Sequence, residues 1–168
     1  LGGALAGNAG AWGKSIGDLV REVQVLDYNG RARLFKKSQL KFSYRKSNLH
    51  KYIILSAKLK LVSASRREIE YKVSQLLRQR SQTQENNLPN AGCIFKNPAK
   101  GPAGKLIEGC GLKARCRGGA VISAKHANFI LNKGKAKSKD VLSLIYLMRK
   151  EVKRRFRVNL EPEIKIWK

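Results

Sequence analysis

The spacing of apolar and polar residues in the first third of the chain predicts antiparallel strands. Asn29-Gly30 is a strong signal for a tight hairpin turn, and a hairpin is expected over Leu19–Phe35. A half-buried strand is expected within Tyr52–Val62, whose second half alternates apolar residues with lysines. The apolar positions on which these strands rest are Val23, Val25, Leu26, Ala32, Leu34, Phe35, Ala57, Leu59 and Leu61.

Apolar residues recur at helical spacing in three later stretches. Ser65–Glu68 reads as a capping box that opens a helix ending near Arg80. A short helix follows Pro102 and ends at Gly111. Ser138 caps the last helix, with Asp140 in its first turn. The residues expected to be buried are Ile69, Val73, Leu76 and Leu77 in the first helix, Leu106, Ile107 and Cys110 in the second, and Val141, Leu144, Ile145, Met148, Val152 and Phe156 in the third.

Short apolar runs separate the last two helices. Ala120–Ser123 and Ala127–Leu131 are expected to be strands, with His126 on the turn between them and in a structural role. The final residues alternate as in a strand, and Pro162 suggests an edge or a bulge. The expected fold class is α+β. The polar stretch Ser81–Pro89 reads as a linker, dividing the chain into residues 1–88 and 89–168.

Charge and cysteine content narrow the class of protein. The 168 residues include 36 Lys and Arg against 11 Asp and Glu, a net charge of +25 that favours an anionic partner. The charge is spread along the chain, and runs such as Lys133–Lys139 are typical of solvated faces. Three cysteines without a C-x-x-C pair predict a reducing compartment, the cytoplasm, and no metal site. The sequence contains no apolar run long enough for a membrane span.

Three stretches carry candidate chemistry. Cys93 follows Ala91-Gly92 and precedes Pro98, which places its thiol on a turn. Arg45 offers a planar guanidinium that could clamp a carboxylate or a phosphate. The first 13 residues hold five glycines, a density too high for a well-packed helix but suited to close backbone approach to an anion or a flat ring. Taken singly, each stretch could also be an ordinary loop.

Together, the stretches resemble the UDP-N-acetylenolpyruvoylglucosamine reductase family, also called UDP-N-acetylmuramate dehydrogenases, in its shorter subtype. The matching segments are Gly2–Ala4, Asn8–Gly13, Tyr44–Ser47, Pro89–Pro98, Ala103–Glu108, Gly118–Ala120, His126–Phe129 and Leu160–Glu163. The family fold has two FAD-binding parts and a substrate-binding part. The resemblance implies that residues 1–88 are the later portion of the FAD-binding domain, that residues 89–168 are the substrate-binding domain, and that the chain is truncated at its N-terminus.

The resemblance also implies an activity. The family uses NADPH and FAD to reduce UDP-N-acetylglucosamine enolpyruvate to UDP-N-acetylmuramate in peptidoglycan precursor synthesis. Arg45 would bind the substrate carboxylate, Cys93 would be the general acid and Glu163 would lie against the same group, protonated or paired. The resemblance implies that the substrate is held by Tyr44, Ser47, Lys96 and Asn97. It also implies that the flavin is lined by Gly2, Gly3, Asn8, Gly10 and Ala11.

One departure from the family pattern concerns the acid. Most members carry serine where this chain has Cys93. A thiol, with an ordinary pKa of about 8.5, is mostly protonated at neutral pH and releases its proton more readily than an alcohol. The resemblance implies neither a nucleic acid nor a membrane partner. Two alternatives stay open, a basic nucleic-acid-binding protein and an inactive remnant of the reductase.

Overall fold

The computed structural model describes residues 1–85 and 87–167, which form two compact units, Leu1–Ser65 and Arg66–Lys168. Helices pack beside antiparallel sheets in this part of the chain, so the expected α+β class is confirmed. The predicted division after residue 88 concerns flavin and substrate domains, and it stays a prediction. Asn86, in the expected linker, and Lys168 lie outside the described residues.

A three-stranded antiparallel sheet forms the centre of the first unit. Its strands are β3 (Val20–Leu26), β4 (Ala32–Lys36) and β7 (Ile53–Leu59), in the order β4-β3-β7. Gly30 has φ 78° in the turn between β3 and β4, and the Asp27 carboxylate accepts from the backbone N–H groups of Asn29 and Arg31 at 3.0 and 2.9 Å. The hairpin predicted from Asn29-Gly30 is therefore confirmed.

Short elements surround this sheet. They are α1 (Gly2–Ala6), β1 (Gly10–Ala11), β2 (Lys14–Ser15), α2 (Ile16–Leu19), β5 (Phe42–Ser43) and β6 (Lys46–Ser47). The expectation that the glycine-rich start could not form a packed helix is wrong. The N–H of Leu5 donates to the Leu1 carbonyl at 3.1 Å, and the Leu5 side chain is fully buried in the core of the unit. One large buried side chain is enough to fix a helix of a single turn.

The second unit contains a four-stranded antiparallel sheet and three helices. Its elements are α3 (Arg66–Thr83), β8 (Asn90–Cys93), α4 (Ala103–Gly109), β9 (Cys116–Arg117), β10 (Ala120–Ile122), β11 (Phe129–Asn132) and α5 (Ser138–Phe156). The strand order is β8-β11-β10-β9, so β8 and β9 are the edges. The main core includes residues of α4 and α5 with Ala120, Ile122 and Ile130 of the sheet. Val121, Phe129 and Leu131 alternate with them and form a smaller cluster.

Two of the predicted helices differ from expectation. α3 begins at Arg66 as the capping box suggested, but it runs to Thr83, three residues beyond Arg80 and into the expected linker. Its predicted apolar stripe is not buried, because Ile69, Val73 and Leu77 are 51%, 49% and 61% exposed. Helical spacing shows which face could be buried, but it does not supply a neighbour for that face.

The last helix buries the stripe that its spacing predicts, but it is capped differently. Leu144, Ile145, Met148 and Val152 are buried. Lys137, not Ser138, is the N-cap residue, and its backbone N–H donates to the Asp140 carboxylate at 2.9 Å. The Asp140 carboxylate therefore accepts from the N-cap residue and places a negative charge in the first turn of the helix.

The expected closing strand is reduced to one contact. Phe95 and Pro162 form an isolated antiparallel bridge, and no longer strand is assigned in the described residues after α5. Leu160 is 1% exposed, whereas Ile166 is 49% exposed. Pro162 lies opposite Phe95 between two backbone hydrogen bonds, from Lys96 to Glu161 and from Glu163 to Ile94, so its missing N–H is not required for this bridge. No helix in the described part of the chain has a stretch both long and apolar enough to cross a bilayer.

The buried face of α5 should dominate the stability of the second unit. Leu144→Ala removes a fully buried side chain and is expected to lower the free energy of unfolding by about 2–5 kcal/mol. Leu142→Ala, on the same helix at 41% exposure, is the matched control and should change it by about 0.5 kcal/mol or less. Urea denaturation of both variants measures the difference. Equal effects would contradict this packing of the helix.

Candidate active site

Cys93 is the last residue of an edge strand, so its predicted position on a turn is wrong. It lies opposite Phe129 in the β8–β11 ladder, and the register shifts between Phe129 and Leu131. That shift is a bulge, and Gly92, with φ 76°, supplies the left-handed conformation that a bulge often requires. The small Ala91-Gly92 pair thus bends a strand. The half-buried Cys93 packs against the smaller cluster of the sheet.

The backbone beyond Cys93 is held along one side by Asn128. The Ile94 N–H donates to the Asn128 carbonyl at 2.9 Å. The Asn128 side chain accepts from the Phe95 N–H at 3.0 Å and donates to the Phe95 carbonyl at 2.8 Å. Asn128 and Phe95 are each 1% exposed. A buried amide therefore pairs with both polar groups of one residue just after the ladder ends.

The same backbone is held along its other side by the C-terminal segment. The Glu163 N–H donates to the Ile94 carbonyl at 2.8 Å, and the Lys96 N–H donates to the Glu161 carbonyl at 2.9 Å. The Lys96 ammonium also forms an ion pair with the Glu161 carboxylate. The stretches that carry Cys93 and Glu163 are thus hydrogen-bonded neighbours although they are far apart in the sequence.

Cys93 and Asn97 both line a cavity of about 470 Å³ in the second unit. The Asn97 side chain accepts from the Ala103 N–H at 3.0 Å and so fixes the entry into α4. The other lining residues are Gln82, Thr83, Pro102, Gly104, Lys105, Glu108, Lys125, His126, Ala127 and Asn128. A thiol, an imidazole, amides, two ammonium groups and a carboxylate share this space, so the cavity could hold an anionic, hydrogen-bonding ligand.

His126 lines this cavity, although the sequence assigned it only a structural role. Its ring stands 4.7 Å from the Phe129 ring, and its Nδ1 accepts from the Asn128 N–H at 3.3 Å. A Cβ added to Gly104 would lie 3.2 Å from the imidazole, so glycine there makes room for the ring. Burial lowers the pKa of His126, and the charge of Lys113 adds to that shift. The sequence hinted at the cavity only through the location of His126. The turn His126–Phe129 leads into β11, which pairs with the strand that carries Cys93.

Arg45 lies on the turn between β5 and β6 in the first unit. Its φ of 54° is in the left-handed region, which is uncommon for a residue with a side chain. The guanidinium carbon stands 5.5 Å from the centre of the Tyr44 ring, within the range of a cation–π contact. Ser47 is 2% exposed, and its hydroxyl donates to the Ala6 carbonyl at 2.8 Å. The turn therefore presents Tyr44 and Arg45 together, with Ser47 buried beneath them.

The residues predicted to line the flavin occupy the N-terminal part of the same unit. Gly2 and Gly3 begin α1, and Gly10 and Ala11 form β1. The Asn8 side chain accepts from the Gly17 N–H at 3.1 Å and donates to the Ser43 carbonyl at 3.1 Å. Asn8 thus ties the glycine-rich segment to the strand that precedes Arg45. Within residues 1–85 and 87–167, no group of three His, Cys, Asp or Glu side chains could hold a metal ion.

The lowered pKa of His126 predicts the direction in which folding stability changes with pH. Below its ordinary pKa of about 6.5, the unfolded chain takes up a proton at His126 while the folded chain does not, so folding stability falls as the pH falls through this window. His126→Gln should remove that part of the pH dependence. NMR titration of the ring, assigned by loss of the signal in the variant, should give a midpoint below about 6.5. A midpoint at or above that value would contradict the burial argument.

Known proteins resemble this chain in sequence and in fold. The sequence profile of the UDP-N-acetylenolpyruvoylglucosamine reductase C-terminal domain matches residues 82–167. A reductase of that name from Clostridium beijerinckii is 42% identical over 99% of this chain, and one from Caldanaerobacter subterraneus subsp. tengcongensis is 45% identical over 99%. The chain spans 56% of the length of each of these relatives.

A solved structure is similar along the whole chain as well. The crystal structure of UDP-N-acetylenolpyruvylglucosamine reductase from Thermus caldophilus superimposes with a TM-score of 0.84 at 36% identity, covering 99% of this chain and 60% of that one. The family profile covers the second unit's sheet with α4 and α5, and the relatives extend the match through the first unit. The chain therefore belongs to the UDP-N-acetylenolpyruvoylglucosamine reductase family.

Proposed function

We propose that this chain is part of an FAD-dependent oxidoreductase that uses NADPH to reduce UDP-N-acetylglucosamine enolpyruvate to UDP-N-acetylmuramate. The observation that carries the proposal is identity of more than 40% to reductases of that name across 99% of the chain. The product is a precursor of peptidoglycan, the polymer of the bacterial cell wall. Three cysteines without a C-x-x-C pair are in keeping with a reducing compartment, and we assign the protein to the cytoplasm.

The proposal divides the chain by function after residue 88. Residues 1–88 belong to the FAD-binding part, and residues 89–168 bind the substrate. The flavin residues fit this role because the backbone of the N-terminal segment is accessible. Gly3 and Ala11 are exposed, and a Cβ on Gly3 would meet no atom within 4 Å. Gly2, Gly3, Gly10 and Ala11 would offer backbone to FAD, and Asn8 would fix the segment that carries them.

Arg45 would hold the carboxylate of the enolpyruvyl group. The chemistry that bound FAD would supply is hydride transfer, after reduction by NADPH. Hydride addition to the terminal vinyl carbon would spread negative charge toward the carboxylate that Arg45 holds. A guanidinium fixed on a tight turn stabilises that charge without reorganising, which is the electrostatic help such a step requires. Tyr44 beside it, with Ser47, Lys96 and Asn97, would orient the rest of the substrate.

Cys93 would then deliver a proton to the carbon next to the carboxylate. A thiol can do this because its proton is largely retained at neutral pH and is given up to a developing carbanion. Glu163 would lie against the substrate carboxylate that Arg45 holds. Its backbone hydrogen bond to Ile94, the residue after Cys93, supports this placement. The cavity shared by Cys93 and Asn97 offers space for part of the substrate.

Expression from the complete gene provides the direct test. The purified protein should be yellow, show flavin absorbance and be bleached by NADPH. With UDP-N-acetylglucosamine enolpyruvate it should turn over and regain its colour. The net charge of +25 suggests a nucleic-acid-binding protein as the alternative. That alternative would be supported by a colourless protein that binds DNA with an affinity that falls steeply as the salt concentration rises. Bound flavin without turnover would point to an inactive remnant.

Cys93 can be tested against a cysteine of the same chain. Cys93→Ala removes the proposed acid and should lower substrate turnover by about 10²–10⁴-fold, leaving flavin reduction by NADPH intact. Cys93→Ser should retain activity, because a hydroxyl can also supply the proton. Cys116→Ala, at an exposed position, is the control and should behave like the parent protein. Full turnover by Cys93→Ala would show that another group is the acid.

A further inference from the structure

Asn128 hydrogen-bonds to three residues through its side chain and its backbone. Its side chain makes two bonds to Phe95, at 3.0 and 2.8 Å, and its carbonyl accepts from the Ile94 N–H at 2.9 Å. Its own N–H donates to His126 Nδ1 at 3.3 Å. At 1% exposure, no water could replace these bonds without rearrangement. Asn128 therefore links a cavity-lining imidazole to the backbone just beyond Cys93.

The pattern of these bonds is that of a β-ladder carried on by a side chain. Backbone pairing between β8 and β11 stops at Cys93 and Phe129. Two residues after Cys93, Phe95 pairs through its N–H and carbonyl with the Asn128 side-chain amide, as it would with the peptide group of a neighbouring strand. At neutral pH an amide side chain offers an uncharged donor and an acceptor side by side in one plane, as this arrangement requires. An apolar residue could fill this space, but it would leave the N–H and the carbonyl of Phe95 without their hydrogen-bond partner. Leaving either of these buried groups unpaired would lower the free energy of unfolding.

We propose that Asn128 is a positioning residue for proton transfer from Cys93, an inference that rests on the proposed reductase function. The hydrogen bonds of the Asn128 amide fix the backbone of Phe95. They therefore restrict the short segment between Cys93 and Asn97 to one backbone conformation. Both of those side chains line the cavity, so a shift of this segment moves the acid and a substrate-binding amide together. Displacement by about 1 Å can cost two orders of magnitude in rate.

The first test replaces the donor of the amide by a carboxylate oxygen, which is charged at high pH and neutral once protonated. Asn128→Asp keeps the acceptor and shape but loses the N–H donated to the Phe95 carbonyl. At about pH 8 its turnover should fall about 10–100-fold relative to the parent, with flavin reduction by NADPH unchanged. Burial at this position should raise the pKa of the introduced carboxyl above its ordinary value of about 3.9. As the pH falls toward that raised pKa the carboxyl gains a proton that restores a donor, so the ratio of variant to parent turnover should rise. Asn132→Asp is the control, because the Asn132 side chain only accepts, from Gly134 and Ala136.

The second test reads the position of the thiol without any enzymatic assay. Asn128→Ser keeps one hydrogen-bonding group and adds no charge. Iodoacetamide labelling resolved by peptide should show Cys93 modified about three-fold faster or more, since a loosened segment exposes the thiol. Cys116, which is exposed, provides the reference and should label at an unchanged rate.

The outcomes separate this inference from the proposed function. A turnover ratio that does not depend on pH, an equal loss of flavin reduction, or unchanged Cys93 labelling would each overturn it. Loss of folding in both variants would also overturn it, by showing a purely structural role. If the parent protein lacks reductase activity but Asn128→Ser still accelerates Cys93 labelling, the reductase proposal fails while the hold of Asn128 on Cys93 stands.

Discussion

The second unit depends on satisfying the backbone of three residues that belong to no ladder. Beyond Cys93 the sheet ends, and buried N–H and carbonyl groups must find partners elsewhere. Asn128 serves Ile94 and Phe95 from one side, and the backbone of Glu161 and Glu163 serves Ile94 and Lys96 from the other. Two distant parts of the chain are therefore required to meet at this segment. An irregular stretch next to a cavity becomes as well determined as a strand.

The side chains of the same segment anchor it in the core. Ile94 and Phe95 are each 1% exposed and belong to the main core, whereas Cys93 packs with the smaller cluster. Alternation at the end of a strand thus sends neighbouring side chains to different surroundings. The apolar pair holds the backbone down while the thiol stays half-buried beside the cavity. Packing and polar pairing fix the same few residues, which is the preorganisation that a proton donor requires.

Sequence alone was informative where local chemistry decides the structure. The Asn29-Gly30 turn and the stripe of α5 were predicted, because turn geometry and helical spacing are local properties. The exposed stripe of α3 and the end of β8 at Cys93 were not, because both depend on what lies alongside. Asn128 lies in the matching segment His126–Phe129, but its contacts could not be predicted from the sequence because its partners Ile94 and Phe95 come from another part of the chain. The roles of Arg45, Cys93 and Glu163 follow from resemblance, and they stay predictions.

The two-residue edge strand β9 has a consequence for solubility. An unpaired strand edge can recruit another chain and start aggregation. Here the edge is Cys116–Arg117, preceded by Arg115, and all three residues are exposed. A copy of this chain approaching edge to edge would bring guanidinium groups against guanidinium groups across a ladder too short to compensate. The arginines at this edge, which are part of the large positive charge, therefore oppose aggregation through the unpaired edge of the sheet.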